Sequence, residues 1–220
     1  MSRADIAPHL RLVHDAATVD RYVAQPPRRP RPTSWTDLYL HQGPGCRDAR
    51  NMAATLTKLG LHPHAVHGLD EHNRCTCGRS DCRAPGKHPV CAGWQSCALD
   101  PAALDQMLAR DWRLNLGLRM GVQPRGFRLV AIDCDGPMSL LGELEDRNGR
   151  LPVTLTAQTS RGFHLLYKVP HDLNVPNRVR IADHVDVRSD GGQIVVSPSR
   201  HASGAFYQWI NACEPAELPL

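Results

Sequence analysis

Two aspartates, Asp133 and Asp135, end a largely apolar run that begins at Phe127. This run and the Gly136-Pro137 pair that stops it predict a strand buried on at least one face. Alternate residues of a strand project from the same face, so both carboxylates are expected together at the strand's end. Their repulsion favours a divalent cation, since Mg²⁺ binds carboxylate oxygens while keeping water and phosphates as further ligands. A polar turn after a strand is the alternative interpretation.

A histidine on a second predicted strand can join this acidic pair. In residues 163–169, alternation places His164 on one face and three large side chains, Phe163, Leu165 and Tyr167, on the other. A histidine in that position can hydrogen-bond a phosphate or a sugar. A purely structural histidine is the alternative.

A third carboxylate lies on a further predicted strand, residues 184–188. Val185 and Val187 are expected to point to the core, which leaves Asp186 and Arg188 together on the opposite face. A site that holds two metal ions for phosphoryl transfer needs such a third carboxylate beside the acidic pair. Arg188 can neutralise charge on a triphosphate. The alternative is a surface ion pair between Asp186 and Arg188.

A different metal is indicated by residues 72–89, which hold three Cys and two His but almost no apolar side chains. Such a segment cannot fold around a core of its own, and Zn²⁺ bound by thiolate and imidazole supplies the missing core. Free thiols in a flexible loop are the alternative. The expected ligands are Cys75, Cys77, Cys82 and His88, with His72 and Cys91 as possible replacements for one of them.

The composition is that of an ordinary globular protein, with 41% hydrophobic and 22% charged residues. The net charge of +4 permits a polyanionic partner such as nucleic acid without demonstrating one. No apolar run suits a membrane span and no signal peptide is evident, so we expect a cytoplasmic protein. In that compartment, clustered cysteines indicate metal binding rather than disulfides.

The elements that must position these residues alternate between helix and strand. Helices are predicted for residues 46–59, ending at Gly60, for the segment after Asp100-Pro101 and for residues 138–147, with Trp112 as a core anchor. Further strands are expected at residues 65–67, 115–121, 154–159, 193–196 and 206–209. Residues 1–24 have a weak helical pattern, and the four prolines and three arginines of residues 25–32 predict an extended linker. The last residues, 214–220, are predicted to be a loose tail.

The order of these motifs resembles the bifunctional DNA primase–polymerase family, a branch of the archaeo-eukaryotic primase superfamily. The resemblance covers roughly residues 40 to 210. Its matching stretches are Cys75-Thr76-Cys77-Gly78 with Cys82, Gly86-Lys87-His88-Pro89, Gly93-Trp94, Asn115-Leu116-Gly117-Leu118-Arg119, Ile132-Asp133-Cys134-Asp135, Ser160-Arg161-Gly162-Phe163-His164, and Val185-Asp186-Val187-Arg188 through Gly191-Gly192 to Ser197-Pro198-Ser199.

The resemblance implies an α/β protein of the α+β type. Its mixed, largely antiparallel sheet would be flanked by helices, in an RRM-like primase-polymerase core with an inserted zinc-binding loop. Residues 41–213 would form the catalytic domain, with the zinc loop at 72–91, after an N-terminal extension of residues 1–40. Asp133, Asp135 and Asp186 would bind catalytic Mg²⁺ or Mn²⁺, and His164 and the Ser160 turn would contact the incoming nucleotide. The expected partners are a single-stranded DNA template, ribo- or deoxyribonucleoside triphosphates, and a helicase or primer-handling protein on another chain.

Two positions depart from the family pattern. Arg161 stands where the family usually has glycine, and it can either add a phosphate contact or restrict the turn. Ser197 stands where a proline or a small apolar residue is common. The function predicted on this basis is a template-directed nucleotidyltransferase. The alternatives are a zinc-containing DNA-binding accessory protein without catalysis and a metal-dependent nuclease.

Overall fold

A computed structural model describes residues 32–43, 46–95 and 100–219. The N-terminal helical pattern and nearly all of the Pro/Arg-rich linker lie outside these residues. The helices are α1 (Ala49–Lys58), α2 (Pro101–Arg110) and α3 (Gly142–Asn148), with 3₁₀ helices at Trp35–His41 and Met138–Leu141. The strands are β1 (Gln42–Gly43), β2 (Cys46–Arg47), β3 (Pro63–Val66), β4 (Asn115–Arg119), β5 (Gly121–Val122), β6 (Phe127–Cys134), β7 (Leu155–Gln158), β8 (Phe163–Pro170), β9 (Arg178–Ala182), β10 (Val185–Arg188), β11 (Gln193–Val196), β12 (Gln208–Asn211) and β13 (Ala216–Glu217).

The largest sheet is built around β6, the strand that leads to the acidic pair. Its order is β12-β7-β8-β6-β10-β9, with β5 added on β6 and β13 on β8. All of its pairings are antiparallel except that of β13 with β8. A second, antiparallel sheet has the order β11-β4-β3. The predicted fold class, an α+β protein with a mixed, largely antiparallel sheet flanked by helices, is confirmed, and the helices are few.

Alternation along β6 separates two hydrophobic clusters. Leu129 and Ala131 belong to the larger cluster, which also includes Met52 of α1 and Leu116 of β4. Ile132 and Cys134 face the other way, into a smaller cluster with Leu141, Leu165, Tyr167 and Val185. As predicted, Leu165 and Tyr167 therefore lie on the face opposite His164. The candidate site residues Asp133 and His164 extend the face that packs on the larger core.

Capping residues set the boundaries of the first two helices. Helix α1 begins three residues later than predicted, because Cys46–Arg47 pairs with Gln42–Gly43 and the Asp48 side chain accepts a hydrogen bond from Asn51 N. Leu59 caps its C-terminus, and Gly60 follows with a φ of +83°. Helix α2 begins at Pro101 with Asp100 as its N-cap, as the sequence predicts.

Three expectations are wrong. Trp112 is 75% exposed rather than a core anchor, because the turn after α2 gives the core positions to Leu108 and Leu114. The helix predicted for residues 138–147 divides at Gly142 into a 3₁₀ and an α segment. The tail is not loose, since β13 pairs in parallel with β8 and Leu218 N donates to Lys168 O.

Candidate active site and metal centre

Strand register brings three distant polar residues side by side. Asp133 of β6 lies directly opposite His164 of β8 and, on its other side, directly opposite Asp186 of β10. Directly opposed residues in antiparallel strands project from the same face about 5 Å apart. The three side chains therefore form one row across the large sheet.

Hydrogen bonds and ion pairs join this row. The Asp133 carboxylate lies 3.3 Å from His164 Nε2 and 3.4 Å from Arg188 Nε. Arg188 also donates to Asp186 Oδ2 at 2.6 Å, and Asp186 Oδ1 accepts a hydrogen bond from Arg180 N at 2.7 Å. The Arg188 guanidinium thus binds two carboxylates at once, which shows that the space beside them favours positive charge.

Asp133 remains ionised although it is only 18% exposed. Burial raises the pKa of its carboxyl, but the hydrogen bond and charge of His164 and the charge of Arg188 together lower it more, so the net pKa is below the usual value. A deprotonated carboxylate in this position is a good ligand for a divalent cation.

Asp135 lies just past the end of β6 and is held there by the chain around it. Its N–H donates to His184 O at 2.9 Å, and its carboxylate lies 3.3 Å from Arg161 Nη2. Gly162 makes this approach possible, because a Cβ atom at that position would lie 1.9 Å from Cys134 O. The turn that the sequence singled out therefore packs directly against the end of the acidic strand.

A cavity of about 190 Å³ opens between the large sheet and β11. Five predicted site residues line it: Asp133, Asp135, Ser160, His164 and Arg188. Asp186 and Arg161 do not line the cavity, but each contacts a residue that does. No site role was predicted from the sequence for the other lining residues, which are Lys87, Thr159, Gln193, Ile194, Val195 and Tyr207.

His164 presents an unused hydrogen-bonding atom at this wall. Its ring stacks on Tyr207 with the centroids 6.0 Å apart. Its Nδ1 atom is buried and has no hydrogen-bond partner among the described residues. A buried polar atom without a partner is costly, so a bound ligand that supplied one would be favoured. The hydroxyl group of Tyr207, on whose ring His164 stacks, has its pKa raised by burial and further by the negative charges of Asp133 and Asp135.

The second candidate centre is a compact Cys₃His cluster. One ligand atom from each of Cys75, Cys77, Cys82 and His88 lies within 4.8 Å of the others. His88 Nε2 is 3.3 Å from Cys75 Sγ and 3.4 Å from Cys82 Sγ. Tetrahedral Zn²⁺ with bonds of about 2.0–2.3 Å separates its ligand atoms by roughly 3.5–3.8 Å, so the donor set and its spacing fit zinc.

The two reserve ligands lie outside this cluster. His72 is exposed, with its Nε2 atom 3.7 Å from Glu71. Cys91 Sγ contacts Met107 Sδ at 3.9 Å. Among the residues that the structure describes, the four preferred residues make the only group of this kind, and they could hold zinc.

Comparison with sequence models of known families identifies the family of this chain. The family described as bifunctional DNA primase/polymerase, N-terminal, has a sequence model that matches residues 49–220. The chain belongs to this family. Comparison with curated proteins finds no match. Within the described ranges, no helix of this Prim-Pol domain is both long and apolar enough to cross a membrane.

A buried histidine under the cleft makes the stability of this Prim-Pol domain sensitive to acid. His64 Nε2 hydrogen-bonds Gln193 Oε1 at 2.5 Å, and the ring stacks on Trp94. Burial lowers the pKa of His64 to about 4, despite the opposing effect of the Gln193 hydrogen bond. In the unfolded chain its pKa is about 6.5.

Because the unfolded state binds the His64 proton more readily, acid favours unfolding. The free energy of unfolding should be unaffected by this group above pH 6.5 and fall by about 3 kcal/mol between pH 6.5 and pH 4. His64→Gln, which can still bond Gln193, should remove that part of the decrease. Urea denaturation of both proteins across this range measures the difference, and equal slopes would contradict the assignment.

Proposed function

We propose that this Prim-Pol domain is a template-directed nucleotidyltransferase that acts as a DNA primase, a DNA polymerase or both. It would join the 3′-hydroxyl of one nucleotide to the α-phosphate of the next, with pyrophosphate as the leaving group. The observation that carries the proposal is the row Asp186–Asp133–His164 beside a cavity whose wall also includes Asp135. Membership of the family supports the same reaction class.

The three aspartates are the residues that would hold two Mg²⁺ or Mn²⁺ ions. Such ions activate the attacking oxygen and stabilise charge on the leaving group. The fit rests on the donors themselves: they are carboxylates, Asp133 is ionised, and an arginine cation already lies between Asp133 and Asp186. Carboxylate oxygens are the ligands that these hard cations prefer.

The remaining side chains of the cleft would bind and orient the nucleotide. Ser160 and His164 line the cavity, and the Nδ1 atom of His164, which has no partner among the described residues, can hydrogen-bond a sugar hydroxyl. Arg161 and Arg188 carry guanidinium groups suited to phosphate oxygens. Holding the reactants in this way lowers the barrier by orientation alone.

The Cys₃His cluster would hold one structural zinc. Its backbone is tied to the core, since Thr76 N donates to Gly68 O and His67 N donates to His88 O. The described part of the cluster has no open ligand position suited to catalysis, because four protein ligands fill a tetrahedral site. Its role in the proposal is to fold residues 72–89 against the catalytic domain.

A primer-free synthesis assay tests the function. Purified protein is incubated with single-stranded DNA, labelled ribo- or deoxyribonucleotides, and Mg²⁺ or Mn²⁺. The expected result is metal-dependent product with one pyrophosphate released per nucleotide added. DNA binding without incorporation would indicate a non-catalytic accessory protein, and strand cleavage without pyrophosphate would indicate a nuclease. A second assay with a preformed primer separates initiation from elongation.

A further inference from the structure

One cation on the wall of the cleft has no carboxylate partner among the described residues. Arg188 is paired with Asp133 and Asp186, and Arg161 is paired with Asp135. Lys87 lines the same cavity, yet no carboxylate of the described residues lies within ion-pair distance of its ammonium group. Its charge is therefore available to an anionic ligand.

The backbone on the N-terminal side of Lys87 is fixed by contacts with the core. Gly86 is buried with a φ of +74°, and its carbonyl accepts a hydrogen bond from Asn115 Nδ2 at 2.9 Å. A Cβ atom on Gly86 would lie 3.2 Å from that same nitrogen, so the close packing depends on glycine. Asn115 is fully buried and cannot move away easily.

The backbone on the C-terminal side is fixed as well. The Lys87 carbonyl accepts a hydrogen bond from Gln193 Nε2 at 2.7 Å, while Gln193 Oε1 bonds His64. The next residue, His88, belongs to the Cys₃His cluster. The lysine thus stands on a rigid segment between a metal-ligand position and the core, with its side chain exposed at the cleft.

We propose that Lys87 binds the terminal phosphates of the incoming nucleoside triphosphate and that Gln193 is the positioning residue that holds it there. The inference rests on the proposed function, because it assigns a ligand to the same cleft. A lysine ammonium is a point charge on a flexible stem, which suits the several oxygens of a triphosphate tail. Lys87 would act beside Arg161 and Arg188, whose guanidinium groups also contact carboxylates.

Equilibrium binding tests the proposal without turnover. The probes are the α,β-methylene analogues of ATP and dATP with Mg²⁺, the corresponding monophosphates, and single-stranded DNA. Lys87→Gln should weaken triphosphate binding about tenfold, as expected for loss of one charge-assisted contact, and should change monophosphate and DNA binding less than about twofold. Lys87→Arg should restore most of the affinity, and Lys58→Gln, at an exposed lysine that does not line the cavity, should have no effect.

A double-mutant cycle tests the positioning role. Gln193→Leu should weaken triphosphate binding in the wild-type background and have almost no further effect in the Lys87→Gln background. Additive losses would show that Gln193 acts independently of the lysine, and they would overturn that part of the proposal.

The outcomes separate this inference from the proposed function. If the wild-type protein binds no triphosphate, the proposed function fails and Lys87 has no nucleotide to hold. If the wild-type protein binds it and Lys87→Gln binds equally well, only the assignment of Lys87 is wrong. A loss confined to single-stranded DNA would assign Lys87 to template or primer phosphates and would also overturn the proposal.

Discussion

Replacing Asp133 with asparagine is expected to lower the rate of nucleotide incorporation by about 10³-fold. The substitution preserves size and can still accept the His164 hydrogen bond, but it removes the central negative charge from the row of site residues. Weaker binding of divalent cations at one of two positions is worth several kcal/mol, and about 4 kcal/mol corresponds to a 10³-fold change in rate. Single-nucleotide extension of a labelled primer at saturating nucleotide measures the effect.

The matched control for this experiment is Asp183→Asn. Asp183 lies in the turn before β10 and is almost fully exposed, and its ion-pair contact within the described part of the chain is with His184. Its replacement should leave the rate unchanged within about twofold, since exposed ion pairs contribute little. Circular dichroism and thermal unfolding should show that both variants are folded. A folded Asp133→Asn protein with full activity would end the two-metal proposal.

The second large effect is expected from loss of the predicted zinc, which should lower the free energy of unfolding. The purified protein should contain about one zinc per chain, and Cys82→Ser should abolish it. Removing a structural metal belongs to the most destabilising class of changes, at about 4 kcal/mol or more. In a domain of this size that lowers the midpoint of thermal unfolding by roughly 10 °C. Metal analysis and calorimetry measure the two quantities.

Cys91→Ser and His72→Gln are the controls for the ligand assignment. Both residues lie in or near the same segment, and both lie outside the cluster. Each variant should keep one zinc and should unfold within a few degrees of the wild type. Retention of zinc by Cys82→Ser, together with its loss from Cys91→Ser, would require a different set of four ligands.

The Cys₃His segment shows where sequence reasoning succeeds, since the four predicted ligands do lie together. Cys75, Cys77, Cys82 and His88 lie within fourteen positions of one another in a stretch with almost no apolar side chains, so few arrangements can bring donors together. The face of the strand from which a side chain projects can also be predicted from the sequence, because alternation is a local property. His164 projects from the face opposite Leu165, and Asp186 shares its face with Arg188. Trp112 shows the opposite case, since whether one aromatic residue is buried depends on what packs over the turn that carries it.

Only the tertiary structure identifies the backbone hydrogen bond that holds the Asp186 carboxylate in place. Strand β9, which was not predicted from the sequence, is exposed over most of its length, yet Arg180 N donates to the Asp186 carboxylate. Arg180 has a φ of +55°, which places this N–H in an irregularity of the β9–β10 pairing. Sequence gives no sign of such a contact, because irregular pairing at a sheet edge depends on both strands.

The sequence by itself determined the chemical groups, their local elements and the face of the strand from which each projects, because side-chain periodicity is fixed by backbone geometry. Tertiary structure decided which residues meet. A shift of β10 by one residue along β6 would put Asp186 on the other face of the sheet, and nothing near Asp186 in the chain specifies that register. The cavity itself, with Lys87, Gln193 and Tyr207 in its wall, exists only because a second sheet and the segment of the Cys₃His cluster pack beside the first.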